Sequence, residues 1–223
     1  MSVPAPRTVG TVLTDDVRAR VNTLQESSLN RRGPAAQANA QADLAKLRGA
    51  DPADPATHPE CWSIVQGDTP PELLPKSGDD PSAAERARHC ALVTYARHQQ
   101  AQTLPMHASG VGFARAVRAV GVKRAALGEE FDPGVRRRFD QLLLSPTWTG
   151  RSEHLNALVR LMRTESIAFD YGQLANDLRG LSHPEDARRV RVRWARDLYS
   201  RVAAETGQPN QNESTKPNEG ELA

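Results

Sequence analysis

Apolar residues recur at helical spacing on two short segments between positions 109 and 144. On each segment they fall three or four residues apart, which places them on one stripe of an amphipathic helix. Arginines occupy the opposite side of both helices. The sequence therefore predicts two short helices with one buried face and one cationic face each. The buried stripes are Phe113, Val117 and Val120 on the first helix and Val135, Phe139, Leu142 and Leu143 on the second.

The remaining pattern is also helical. No run of alternating apolar and polar residues is long enough to nominate a strand, and β-branched clusters are few. We therefore expect an all-α fold, a compact helical bundle of about eight to nine helices in one body or two small lobes. The expected organisation is a flexible N-terminus at 1–13, a helical domain at 14–204 and a disordered, polar tail at 205–223.

Several helix starts carry capping signals. A Ser or Thr before the helix, with Glu three residues later, predicts a capping box, and an Asp or Thr before an apolar run predicts a simple N-cap. These signals place helix starts at Thr14, at Ser82 with Glu85, at Asp170, and at Ser182 with Glu185.

The segment 49–81 differs from its surroundings. It is rich in Asp and Pro, and between Asp51 and Asp80 seven acidic residues stand against Lys76 alone. This composition predicts a long acidic irregular connection containing one or two short helices. We expect Trp62 to pin the connection to the core.

The formal net charge is only +2, but its distribution along the chain is uneven. Of the cations 25 are Arg and 4 are Lys, and the planar guanidinium suits bidentate contact with phosphate. On the predicted helices, Arg115 and Arg118 lie opposite the apolar stripe. Arg136, Arg137 and Arg138 are adjacent, and no acidic residue lies four positions before Arg137 or Arg138. The pattern predicts that these charges meet an external polyanion.

Other chemistry has weaker support. His58, Cys61, His89 and Cys90 contain zinc-binding atoms, but their spacing lacks the doubled motifs of a tetrahedral site. We interpret them as core cysteines with surface histidines, and we expect no metal and no cofactor. With two cysteines, no secretory leader and no long apolar run, we expect a cytoplasmic protein that is not membrane-associated.

Five segments together resemble one known family. Their order and spacing are similar to those of the CasB family, the small subunit of the type I-E CRISPR surveillance complex, Cascade. The resemblance spans roughly residues 14 to 204, and it departs from the family in the Asp/Pro-rich connection and the tail. The segments are ADLAKLR at 42–48, GFARAV at 112–117, VRRRFDQLL at 135–143, LVRLMR at 158–163 and FDYGQLANDL at 169–178.

The resemblance implies a non-enzymatic subunit that contacts the CRISPR RNA and the backbone of target DNA and helps to hold the displaced strand. Its implied partners are a second copy of itself, the backbone subunit CasC and the large subunit CasA. The family's basic positions, which are the candidate nucleic-acid-binding residues, fall on Lys46, Arg48, Arg115, Arg118, Lys123, Arg124, Arg136, Arg137, Arg189 and Arg193.

Two alternatives come from other functional classes. A helical protein–protein interaction adaptor would use the same arginine stripes to bind acidic protein surfaces, without direct nucleic-acid binding. A zinc-dependent hydrolase would require the four His and Cys residues above to hold a metal ion.

Overall fold

The computed structural model describes residues 7–200, and within them the chain forms nine α-helices. Two single 3-10 turns, Pro59–Cys61 and Pro71–Leu73, interrupt the acidic connection, and the only β-type pairing in the described range is an isolated bridge between His107 and Phe169. The all-α prediction is confirmed. The helices are α1 Val9–Ser28, α2 Pro34–Gly49, α3 Trp62–Val65, α4 Ala83–Gln99, α5 Phe113–Lys123, α6 Pro133–Leu144, α7 Trp148–Thr164, α8 Tyr171–Leu181 and α9 Pro184–Tyr199.

One continuous hydrophobic core joins these helices. Helix α8 packs against α1, α4 and α9, and α2 lies across α1 and α4. Helix α7 packs against α4 and α6, and α5 connects with α6, α7 and α9. The core contains residues from every α-helix, so the bundle is one body. The predicted stripes of α5 and α6 lie in it, with Phe113, Val117, Val120, Val135, Phe139 and Leu142 all buried and Leu143 packed against its edge.

Two of the predicted helix starts are confirmed. The Ser82 hydroxyl accepts the Glu85 amide at 3.0 Å, and the Glu85 carboxylate accepts the Ser82 amide at 2.8 Å, which completes the capping box of α4. Asp170 caps α8 by accepting the amides of Gly172 and Gln173. Both starts thus follow from local hydrogen bonding that the sequence specifies.

The other two predicted starts are wrong. Helix α1 begins at Val9 with Thr8 as its cap, and Thr14 lies inside the helix, where its hydroxyl donates to the Gly10 carbonyl at 2.8 Å. Helix α9 has His183 as its N-cap, without a side-chain hydrogen bond, and Ser182 instead ends α8. Residues 1–6, the predicted end of the last helix near Ala204 and the tail at 205–223 lie outside the described residues.

The acidic connection is held by residues other than the expected one. The side chain of Trp62 is 48% exposed, and its indole nitrogen donates to the Pro55 carbonyl within the same segment. Cys61, Val65 and Leu73 are the buried anchors. The prediction for Trp62 was wrong because the tryptophan covers the segment's own turn. None of the helices in residues 7–200 is both long and apolar enough to cross a membrane.

Candidate nucleic-acid interface

Three arginines predicted from the sequence meet around the last turn of α9. The Arg115 Nε donates to Asp197 Oδ1 at 3.2 Å, and Arg118 Nη1 donates to the Leu198 carbonyl at 3.2 Å. The Arg136 guanidinium lies 4.8 Å from the centre of the Tyr199 ring, in cation–π geometry. We call Arg115, Arg118 and Arg136 the arginine cluster.

The cluster follows from the way in which α5, α6 and α9 pack. The buried stripe of α5 turns Arg115 and Arg118 outward, towards the end of α9. The last carbonyls of a helix carry partial negative charge, which favours cations at this end. The cluster therefore stabilises the packing of these helices. The Arg115 side chain is nevertheless 64% exposed, and only one of its five N–H donors is used in the bond with Asp197.

A groove of about 630 Å³ runs between α5 and the end of α9. Its lining combines apolar surface with cations at the rim, and Val122 in it is 49% exposed. We call it the α5–α9 groove. Its lining residues are Arg115, Arg118, Ala119, Val122, Lys123, Asp197 and Ser200.

The three adjacent arginines of α6 have different environments. Arg136 pairs with Asp140 at 3.1 Å, and Arg138 donates to the Gly134 carbonyl at 2.9 Å. Arg137 is exposed and makes no ion pair or side-chain hydrogen bond with residues 7–200. The sequence prediction considered only acidic residues four positions before an arginine, so it did not anticipate the pairing of Arg136 with Asp140, which lies four residues after it. Arg137 remains available to an external anion.

Lys123 and Arg124 hold the end of α7. Their side chains approach the Glu165 carboxylate at 3.2 and 3.0 Å. Hydrogen bonds from Lys123 and from Arg124 lower the pKa of Glu165. The side chain of Lys123 is still 56% exposed at the rim of the α5–α9 groove.

On α9, Arg189 and Arg193 differ in exposure, since the Arg189 side chain is 81% exposed and that of Arg193 is 51% exposed. Arg189 pairs with Asp186 at 3.4 Å, and Arg193 pairs with Asp177 of α8. Asp177 also accepts the Trp194 indole N–H at 2.7 Å. Burial raises the pKa of Asp177 to about 6, although the Arg193 charge and the indole hydrogen bond act in the opposite direction.

The sequence selected only Arg189 and Arg193 from a larger basic surface on the outer side of the same helix. A shallow groove of about 550 Å³ lies there, and it includes the 43% exposed Val192. Helical spacing places Arg196 on one face with Arg189 and Arg193, but neither Arg196 nor Arg188 was among the candidate nucleic-acid-binding residues. This outer groove is lined by Pro184, Glu185, Arg188, Arg189, Val192, Arg193 and Arg196.

Lys46 and Arg48 lie apart from these surfaces. Both belong to α2, which packs against α1 and α4, whereas the other candidate residues belong to α5, α6 and α9. Lys46 approaches Asp43 at 3.6 Å within its own helix. The basic residues of α2 thus form a region separate from those of α5, α6 and α9.

The candidate zinc ligands have other roles. His89 is buried rather than on the surface as expected, because its Nε2 bonds the Asp51 carbonyl at 2.7 Å. Cys90 is buried, and burial raises the pKa of its thiol to about 12. Within residues 7–200, no group of three or more His, Cys, Asp or Glu side chains could hold a metal ion.

Comparison with known proteins identifies the family. The profile described as "CRISPR-associated protein Cse2" matches residues 43–199. The crystal structure of CasB from Thermobifida fusca superposes with a TM-score of 0.68 at 31% sequence identity, covering 85% of this chain and 99% of that chain. None of the curated proteins matches the chain. Because the profile spans more than half of the chain and the structural match covers nearly all of its counterpart, the chain belongs to the Cse2 family of CRISPR-associated proteins.

Proposed function

We propose that the protein is the non-catalytic small subunit of a type I-E CRISPR Cascade complex, in which it contacts the backbones of guide RNA and target DNA. In this role it stabilises the R-loop and the displaced strand. The observation that carries the proposal is the convergence of the arginine cluster on α9, with the exposed Arg137, which forms no ion pair within residues 7–200, beside it on α6.

The chemistry of this surface suits phosphate. Arg115 uses its Nε in the bond with Asp197, and a guanidinium has five N–H donors in total. The remaining donors of Arg115 and the whole side chain of Arg137 are available to phosphate oxygens. The positive surface can therefore hold a nucleic-acid backbone without giving up the contacts that hold α5, α6 and α9 together.

Recognition at this surface is expected to be independent of base sequence. The aromatic residues exposed in the described range are Trp62 and Tyr199, and Tyr199 already stacks with Arg136. Base stacking is therefore a minor contribution, and phosphate contact dominates. An R-loop replaces one duplex by another of nearly equal stability, so added backbone contacts shift the balance towards the open state.

The partners that we propose are the CRISPR RNA, the target DNA, a second copy of the chain, the backbone subunit CasC and the large subunit CasA. The match to a CRISPR-associated family supports an assembly of this kind. The separate basic region on α2, with Lys46 and Arg48, gives the subunit a second surface for one of these partners.

A salt series tests the proposal on the full chain. The isolated protein is titrated with single-stranded and duplex DNA of one sequence, and the logarithm of the binding constant is plotted against that of the salt concentration. We expect a steep linear loss of affinity, and Arg137→Ala should reduce the slope by about 0.7–0.9, the contribution of one phosphate contact. The control is Arg32→Ala, which removes one exposed cation between α1 and α2.

The adaptor alternative makes the opposite prediction. If the arginine stripes served only acidic protein surfaces, Arg137→Ala and Arg32→Ala would have equal effects on DNA binding. That result would contradict phosphate contact at Arg137.

A further inference from the structure

The α5–α9 groove has the features of an anion-binding surface that is also partly apolar. Two of its rim side chains are more than half exposed, Arg115 at 64% and Lys123 at 56%. Asp197 is the one carboxylate in the described lining, and it is already bonded to Arg115. The described rim therefore carries excess positive charge.

Ser200, the last residue that the structure describes, is part of the lining of this groove. Residues 201–223 follow it in the sequence. Residues 205–223 contain four glutamates and one lysine, a net formal charge of −3. Four residues lie between Ser200 and Glu205, and an extended chain spans about 3.3–3.6 Å per residue, so the acidic positions can reach the rim.

This acidic segment is an addition to the part that identifies the family. The family profile ends at residue 199, before the tail at 205–223 begins. Its charge is opposite to that of the groove at which it begins. A tethered segment reaches an effective concentration on the order of millimolar at a neighbouring surface, so weak charge pairing is enough for occupancy.

We propose that the acidic tail, residues 205–223, docks on the α5–α9 groove and competes with nucleic-acid phosphates for Arg115, Arg118 and Lys123. The docked tail then blocks these side chains intramolecularly, and nucleic acid that binds weakly and without specificity does not displace it. A backbone that also engages Arg136 and Arg137 displaces it. This inference rests on the proposed function for the identity of the competitor, but the docking itself does not require nucleic acid.

The first experiment measures competition in the full chain. The tail variant carries Glu205→Gln, Glu213→Gln, Glu219→Gln and Glu221→Gln. The control variant carries Glu60→Gln, Glu72→Gln, Asp79→Asn and Asp80→Asn, four exposed acidic residues of the connection, so that the net charge changes equally.

At low salt the tail variant should bind single-stranded DNA about three- to tenfold more tightly than the native chain, and the difference should disappear at high salt. The control variant should show a smaller change. Equal tightening in both variants, or none in the tail variant, would overturn the proposal while leaving DNA binding by the native chain intact.

The second experiment detects docking without nucleic acid. A spin label is attached through Ser214→Cys, because the native Cys61 and Cys90 are buried and shielded from the reagent. We expect selective broadening of the Val122 and Lys123 amide signals at low salt, which is lost at high salt and reduced by Arg115→Ala. Unbroadened signals in the groove would refute the docking. If no variant binds DNA but broadening is present, the proposed function fails and the docking stands.

Discussion

The arginines of α6 show how much the environment of one residue matters. Arg136, Arg137 and Arg138 are identical and adjacent, yet Asp140 pairs with the first and the Gly134 carbonyl accepts from the third. The sequence contained Asp140 four residues after Arg136, and the prediction considered only the acids before the arginines. The stacking of Arg136 on Tyr199 joins residues 63 positions apart, so no local pattern could have indicated it.

Asp177 gives a pH-dependent prediction at the same scale. Burial raises its pKa to about 6 from the ordinary 3.8, so the native state binds the proton more tightly than the unfolded state does. The contribution of Asp177 to stability is therefore largest below about pH 4 and falls as the pH rises towards 6. At about 1.4 kcal/mol per pKa unit, the total change is on the order of 2–3 kcal/mol.

The variant Asp177→Asn lacks this titration. Urea unfolding at pH values from 4 to 7 should show that the free energy of unfolding of the native chain falls relative to that of the variant as the pH rises. Comparing the two proteins cancels the titration of groups that they share. A constant difference across this range would contradict the raised pKa.

At the scale of the element, a local signal decides a helix start only when the backbone around it agrees. Ser82 and Ser182 both precede a Glu by three residues. Ser82 has the extended backbone of an N-cap, with φ −60° and ψ 161°, whereas Ser182 has φ −87° and ψ −10°. Ser182 still belongs to the end of α8, where its hydroxyl donates to the Leu178 carbonyl. The short connection between α8 and α9 therefore prevents the second box.

The two serines form a matched pair for mutation. Ser82→Ala removes the cap of α4 and a hydrogen bond to the Leu73 carbonyl, so we expect a loss of about 1–2 kcal/mol in the free energy of unfolding. Ser182→Ala removes only a hydroxyl hydrogen bond to the Leu178 carbonyl at the end of α8 and should cost less than about 0.5 kcal/mol. Chemical denaturation of both variants gives the comparison, and equal losses would mean that Ser182 stabilises α9 as the sequence pattern suggested.

For the whole molecule, periodicity predicted the all-α fold, the buried stripes of α5 and α6 and the outward direction of their arginines. It could not show which helices are neighbours. Lys46 and Arg48 are on α2, which packs on α1 and α4, while Arg115, Arg118 and Arg136 meet at the end of α9. Which helices are neighbours depends on contacts between segments that are distant in sequence. The spacing of residues within one helix carries no information about these contacts.

The net charge of +2 is the sum of acidic and basic segments that the fold places in different parts of the molecule. The acidic connection is fixed to α1 and α4 through the buried Arg88, which bonds Asp16 and the Val65 carbonyl. The arginine cluster lies on α5, α6 and α9 instead. A nucleic-acid backbone that follows this cluster meets the basic helices rather than the acidic connection.

The most direct test of the central claim is the affinity of the assembled Cascade complex for target DNA when it contains Arg136→Ala/Arg137→Ala. The matched control is Arg31→Ala/Arg32→Ala, which removes two adjacent exposed cations between α1 and α2. With both variants folded and incorporated equally, the α6 variant should bind about tenfold more weakly at moderate salt, equivalent to about 1.4 kcal/mol, and the control should bind normally. Unchanged affinity in the α6 variant would contradict the assignment of this surface to nucleic acid.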